Sequence, residues 1–478
     1  MIKFQSKVFQ KILIATLFCI SIIWMFLGVY SPDDIAQNIQ PATDFSSILT
    51  HWKNYRYFIV LISQPFLWAG VHYNEFMPLW ACSLALGIVA ACYAVLRYSN
   101  LSVSYMPYFV VMVTVHGYFT DLFYFPMSYS VFGFGFIFIG ISILLLTRHG
   151  VMWTGISSVF VALSLMSYQP SALIILFASA LLAINAWLHG HTDASKLFKD
   201  TIRGPIAFTI GSVLFLLSVK LFSDGTGRAV APENIINNIQ EYVVSLKEII
   251  IYGAYNNKLY PSIQRISFFI VNISAIVSLI LQFRRGNVAG GLLAFVALFC
   301  SFLIFPSPLN LFSDIFWPSP RSISSSVFFE VALIFVLFDR YRKNISCNIA
   351  ILAFSGFAAV STIHQMNVLA SAKSQNMVDK FVAKQIIFSI NEISPITEET
   401  KIAVVSTWEN AASMNPYAFM DNGLSAFDTS WSKNAVLWLY SPVKYKQVTP
   451  PVGACEKHTK PQYWDLVQTD GIIVVCMK

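Results

Sequence analysis

An all-α polytopic membrane protein with a small C-terminal α/β or α+β domain is the fold class this sequence predicts, and three observations carry the prediction. Of the 478 residues, 56% are apolar, 15% aromatic and only 12% charged, with a mean hydropathy of +0.62. Too little polar surface exists to cover a water-soluble globule of that size. The apolar runs also reach helical length, about 20 residues, rather than the alternating segments of about ten residues that build an outer-membrane barrel. Each run can therefore satisfy its own backbone in lipid. Finally, the chain turns polar from about residue 362, and Lys401-Ile402-Ala403-Val404-Val405 and Gly471-Ile472-Ile473-Val474-Val475 read there as buried strands separated by turn-rich sequence.

Lys3, Lys7 and Lys11 precede a first apolar run over 12–30 that is longer than a signal-peptide core and lacks a small-x-small cleavage site, so it reads as a retained span with a cytoplasmic N-terminus. Further spans fall near 76–96, 104–120, 125–146, 151–168, 171–188, 205–222, 266–283, 288–305, 323–338 and 346–361, about eleven in all. With this count every strong basic cluster between spans lies on the cytoplasmic side: Arg97; Arg148 with His149; Lys196, Lys199 and Arg203; Arg284 with Arg285; and Arg340, Arg342 and Lys343. The net charge of +7 thus reports topology and excludes a nucleic-acid partner as its explanation. Segment 58–71 breaks the parity if counted as a span. It is short, contains Gln64-Pro65 and follows the aromatic and basic stretch His51 to Tyr57, so an interfacial or re-entrant helix is expected, with a short tilted span as the alternative.

The resulting division is a transmembrane catalytic domain over 1–361, with outer loops 31–57 and 223–264, and a periplasmic C-terminal domain over 362–478. Five cysteines, Cys19, Cys82, Cys92, Cys300 and Cys347, lie in or beside spans and read as packing residues. Cys455 and Cys476 are both in the tail, where an oxidising compartment would allow a disulfide, and their spacing does not suggest zinc. The chain has no internal repeat, P-loop, dinucleotide fingerprint or Gly-x-Ser-x-Gly elbow.

The adjacent carboxylates Asp33 and Asp34, just beyond the first span, are the best clue to chemistry; a helix cap is the plain structural alternative. Brought together with Asp121 of the second outer turn, they could supply a general base for a hydroxyl nucleophile and could hold a divalent cation. Arg321, with Lys258 and Arg265 behind it, could stabilise a phosphate leaving group, because the guanidinium fork holds two phosphate oxygens. A snorkelling interfacial cation is the alternative for each. Glu330 sits about 7–8 residues into the tenth span, roughly 10–12 Å deep at 1.5 Å per residue, where an ionised side chain needs a partner or a cavity. His116 and the run Phe132-Gly133-Phe134-Gly135-Phe136 read as packing.

Ser31-Pro32-Asp33-Asp34 after span one, the interfacial stretch from Trp52 to Tyr57, and Ser167-Tyr168-Gln169-Pro170 leading into an apolar span together resemble the GT-C-type membrane glycosyltransferases, and within them the phage-type serotype-converting O-antigen glucosyltransferases. The resemblance implies a polyprenyl-phosphate-linked sugar donor, by family glucose, an O-antigen glycan of lipopolysaccharide as acceptor, and a multi-pass bacterial inner-membrane enzyme working at the periplasmic face. It implies Asp33 or Asp34 as base, Asp121 as a second-loop acid, and Tyr168 and Gln169 as a family Tyr-Gln motif; Tyr168, Gln169, Trp52 and, from its depth in the span, Glu330 are the candidate substrate-binding residues. The tail tryptophans Trp408, Trp431, Trp438 and Trp464 could stack on sugars or simply form the tail's core. The competing expectation is a transporter or flippase of a lipid-linked glycan, with Glu330 and the outer cations marking its path.

Overall fold

The computed structural model describes residues 15–20, 22–26, 29–32, 56–70, 76–190, 193–222, 234–255, 259–283, 288–312, 316, 318–343, 347–406, 415–418, 424–429, 432–456 and 464–477. Asp33, Asp34, Trp52, Lys258, Trp408 and Trp431 lie outside them.

The helices are α1 (Tyr57–Trp68), α2 (Met77–Tyr98), α3 (Met106–Thr114), α4 (Gly117–Leu122), α5 (Tyr129–Leu146), α6 (Val151–Leu165), α7 (Ile174–Leu188), α8 (Ala194–Phe222), α9 (Asn234–Tyr252), α10 (Ser262–Phe283), α11 (Val288–Ile304), α12 (Pro320–Ile323), α13 (Ser326–Tyr341), α14 (Cys347–Ile393) and α15 (Lys433–Tyr440). Six helical stretches among the described residues are long and apolar enough to cross a membrane, and four shorter apolar helices, including α6 and α11, accompany them. Their outer faces carry Leu86, Leu216, Ile270 and Phe299, all exposed, as expected for side chains whose solvent is hydrocarbon.

Three expectations change. The span expected over 104–120 is broken: α3 ends at Thr114, and His116, in an extended conformation, caps the separate helix α4. The stretch expected as an outer loop over 223–264 contains the 19-residue helix α9, which turns Ile236, Ile239, Val243 and Ile250 outward and buries Asn238, Ser245 and Ile249. The exposed aliphatic side chains fit a helix lying at a lipid surface. The last span, expected over 346–361, belongs to the 47-residue helix α14, whose length of about 70 Å at 1.5 Å per residue carries it far beyond one bilayer. The expected boundary at 361/362 therefore falls inside one continuous helix. Helix α1, with Pro65 inside its 12 residues, is about 18 Å long and too short for a full crossing.

Side-chain ties identify the two ends of the bundle. At one, His189 lies 3.3 Å from Asp339, Tyr105 donates to Asp339 at 2.9 Å, and Arg340 donates to Gln282 at 3.0 Å. Arg203 joins the same end by donating to the Leu146 carbonyl at 2.8 Å, and His149 lies 3.6 Å from Asp200. The basic clusters at Arg97, Arg148, Lys196 to Arg203 and Arg340 to Lys343 thus gather at one end. The opposite end holds α4, Tyr168, Tyr260 and Arg321, together with the C-terminal domain that α14 reaches.

In that domain the last turns of α14 enter the core through Ala383, Ile386, Ile387 and Ile390, packed against Ile402, Val404, Phe427, Val436, Leu437, Ile473 and Val475. The sheet order is β2-β1-β4-β3, from β1 (Lys401–Ser406), β2 (Lys446–Gln447), β3 (Trp464–Thr469) and β4 (Ile472–Met477). β1 runs parallel to both β2 and β4, and β3 is antiparallel to β4. Asp470 and Gly471, at φ 52° and 71°, form the two-residue turn of the β3–β4 hairpin, the Asp-Gly pairing that positive φ at both positions favours. Cys455 and Cys476 form a disulfide. Both expected strands are present, and Trp438 and Trp464 pack partly buried against this core.

Candidate functional site

The break between α3 and α4 needs explanation first, because backbone groups released inside an apolar body must find partners. Gln264 of α10 accepts from the Gly117 N–H at 3.0 Å and donates to the Val115 carbonyl at 3.1 Å and to Ser361 at 3.0 Å. Gln365 of α14 donates to the Thr114 carbonyl at 2.8 Å. Gly117 is where the break meets the segment before α10: a Cβ there would lie 2.3 Å from the Leu259 carbonyl oxygen. Two glutamines and a glycine thus permit a broken helix in this place, the kind of backbone arrangement that membrane proteins keep beside cavities and sites.

Helix α4 carries a polar group at each end. Near its C-terminal end Asp121 is fully buried and accepts the backbone N–H of Arg321 at 2.7 Å, with the Arg321 Nη1 at 3.8 Å. Arg321 is the second residue of α12, in the first turn, where backbone N–H groups have no intrahelical partner, so the carboxylate fills an orphan donor position at a helix start. The guanidinium lies 4.1 Å above the Phe125 ring, and Arg321 retains 17% exposure. Tyr168 donates its hydroxyl to the Arg321 carbonyl, which also accepts from Ser324 at 2.7 Å. The Tyr168 ring packs edge-on to Phe132 at 4.7 Å. Three of the candidate residues, Asp121, Tyr168 and Arg321, therefore come from distant sequence positions into one junction.

At the N-terminal end of α4, His116 accepts the Tyr118 N–H at Nδ1, 3.3 Å away. This leaves Nε2 to carry the proton, and it lies 3.0 Å from the Tyr260 hydroxyl and 3.4 Å from the Glu330 carboxylate. Tyr260 donates to Glu330 at 2.9 Å. Tyr260, His116 and Glu330 are all at least 97% buried, so Glu330 has partners of the kind its depth requires. The expectation that His116 only packs is corrected: its ring nitrogens hold both α4 and Glu330. The sequence signal was present in His116-Gly117, a polar cap and a breaker inside an apolar run.

Arg265 sits in the first turn of α10, where it donates to Ser262 at 3.3 Å, beside Gln264 rather than at the Asp121–Arg321 junction. Gln169 opens the 3-10 turn Gln169–Leu173 and is partly buried. The segment leading to Asp33 and Asp34 is held by α14: Asn376 accepts the Tyr30 N–H and donates to the Tyr30 carbonyl, each at 2.9 Å. Ser31 and Pro32 are buried. Among the described residues no group of three or more His, Cys, Asp or Glu side chains could hold a metal ion.

In the C-terminal domain Asp379 of α14 accepts from Ser425 at 2.7 Å, the Ala426 N–H at 2.7 Å and Gln375 at 3.0 Å. Nearby Asp428 is pushed up to about 7, first by burial and then by the charge of Asp379. No known family, curated protein or solved structure matches the chain.

Proposed function

We propose that this protein is a membrane glycosyltransferase that moves a sugar from a polyprenyl-phosphate donor to a hydroxyl of a glycan acceptor at the outer face of a bacterial inner membrane. Following the family resemblance, the sugar is glucose and the acceptor the O-antigen of lipopolysaccharide. The observation that carries the reading is the junction of Asp121, Tyr168 and Arg321 at the end of the bundle that also bears the C-terminal domain. A disulfide in that domain supports an oxidising compartment on that side, and the gathering of basic clusters at the other end supports a cytoplasmic face there.

In the proposed reaction the acceptor oxygen bonds the anomeric carbon as the bond from that carbon to the phosphate oxygen breaks, with inversion. The polyprenyl phosphate leaves with the bonding pair. Asp33 or Asp34 accepts the hydroxyl proton, and the Arg321 guanidinium offers a positive charge to the leaving phosphate. Because Asp121 is fully buried against Arg321, its part is to hold the Arg321 backbone and side chain in place. No step requires a metal; a divalent cation at the Asp33–Asp34 segment is a further arm of the test.

The test is transfer of labelled sugar from polyprenyl phosphate to O-antigen in membranes carrying the wild type, Asp33→Asn, Asp34→Asn or Arg321→Ala at matched expression, with and without chelator. Loss in one Asp variant identifies the base. For Arg321→Ala a loss of about 100-fold or more is expected, and the backbone N–H that binds Asp121 remains. Full transfer in all three variants removes the mechanism. The buried His116–Tyr260–Glu330 chain is the observation that favours the transport alternative, since titratable groups inside a membrane body mark ion paths. Absence of transfer by the wild type, with lipid-linked glycan flipping abolished in Glu330→Gln, would decide for it.

A further inference from the structure

A polar concavity lies at the end of the bundle opposite the Asp121–Arg321 junction. Helix α5 runs from one to the other, and its 18 residues separate them by about 27 Å at 1.5 Å per residue. This cleft of about 590 Å³ is lined by the last turn of α2 (Arg97, Tyr98), the turn after α5 (Thr147, His149), and the start of α8 (Asp193, Lys196, Asp200, Arg203), with Leu146, Leu182, Ala186 and Leu197 also in its lining.

Its charges divide into those already engaged and those that are not. Arg203 is spent on the end of α5, donating to the Leu146 carbonyl at 2.8 Å, to the Arg148 carbonyl and to Thr154 at 3.3 Å. Asp193 caps α8 by accepting the Lys196 N–H at 3.0 Å, and Asp200 faces His149 at 3.6 Å. Among the described residues neither the Arg97 guanidinium nor the Lys196 ammonium has a carboxylate within ion-pair distance. Arg97 and Lys196 are therefore the lining cations that no carboxylate pairs, in a cleft that also holds Asp193 and Asp200. Just after His149 in the chain, Val151 and Met152 are exposed by 91% and 69%, and the Arg148 guanidinium stacks at 4.5 Å on Trp153. An Arg–Trp pair next to exposed aliphatic side chains is what the headgroup level of a bilayer selects.

We infer that this cleft binds the phosphodiester headgroup of an anionic phospholipid, with Arg97 and Lys196 on the phosphate and the leucine and alanine lining against the glycerol and first acyl carbons. Basic pockets between helices on the cytoplasmic side of membrane proteins are suited to such headgroups. The inference does not depend on glycosyl transfer.

The test is native mass spectrometry of the detergent-solubilised full chain titrated with phosphatidylglycerol, phosphatidylcholine or soluble glycerol phosphate. Wild type should retain phosphatidylglycerol about tenfold better than phosphatidylcholine, the Arg97→Gln/Lys196→Gln double variant should lose that preference, and Arg97→Lys should keep most of it. Lys199→Gln and Lys343→Gln, exposed cations of the same end outside the cleft, should retain it. An unchanged preference in the double variant, or equal loss in the two outside variants, overturns the site. Glycerol phosphate binding as tightly as the lipid, with the same loss in the double variant, overturns the lipid in favour of a soluble phosphate. Arg97→Lys and a thermal unfolding curve on each variant separate lost binding from lost folding.

Discussion

The helical body and the C-terminal domain are built from opposite distributions of the same residue types. In the body, Ile270 and Leu216 face outward while Asp121, His116, Gln264 and Glu330 are buried. In the domain, Ile402, Val404 and Val475 are buried, and Lys401 and Lys446 face outward. The difference teaches what holds each part. Apolar burial drives association only where water is the alternative. In lipid it gains little, so packing and buried hydrogen bonds between helices carry the specificity.

Breaking the comparison is most direct at Glu330. Glu330→Ala leaves Tyr260 and His116 without their acceptor in an apolar interior and should cost about 4 kcal/mol of stability, as removal of one buried partner does. Glu330→Gln, which keeps an acceptor, should cost about 1 kcal/mol. Denaturation in lipid–detergent mixtures measures both, and equal costs would show that the hydrogen bonds are not what matters.

Next comes the disulfide. Cys455 and Cys476 are 21 residues apart, and opening a loop of that length should cost about 3 kcal/mol. The cost should appear in the domain alone. Hydrogen exchange after reduction, or in Cys455→Ser/Cys476→Ser, should rise across β1 and β4 and stay unchanged in α5 and α7.

A pair of matched truncations then separates the two solvents. Ile402→Ala, in the domain core at 1% exposure, should lose about 2 kcal/mol or more. Ile270→Ala, on the outer face of α10 at 59% exposure, should lose less than about 0.5 kcal/mol in bilayer nanodiscs. A similar loss at both positions would mean that α10 faces protein rather than lipid.

The smallest effect expected is the pH response of the domain. With Asp428 raised in the folded state to about 7, folding favours its protonated form. That contribution is fully present below the ordinary carboxylate range near 4 and is lost as pH rises through about 7. The domain's melting temperature should therefore fall modestly between pH 5 and pH 8, and Asp428→Asn should flatten the fall. A melting temperature that rises over this window contradicts the assignment.

Much of the fold was legible because its signals are local. Apolar run length, Lys and Arg clustering, and the β-branched runs at 401–405 and 471–475 each report a single element. The break at His116 was harder to see, because His116-Gly117 is a short signal inside a mostly apolar run and only the glutamines of α10 and α14 make the break tolerable. For the same reason α9 read as loop: its polar side chains find partners far along the chain, as Asn238 does in donating to the Leu311 carbonyl of the 3-10 turn Pro308–Phe312 at 3.2 Å, 73 positions away.

By itself the sequence determined which stretches are apolar helices, which part of the chain is polar and where the basic clusters fall along it, since hydropathy and charge are local properties that need no reference to other helices. It also determined which residue types were available for chemistry. Only the tertiary structure decided that Asp121 meets the Arg321 backbone, 200 positions away, and that His116, Tyr260 and Glu330 form one chain. Such pairings arise from which helix ends pack together, and no local pattern in the sequence encodes that choice.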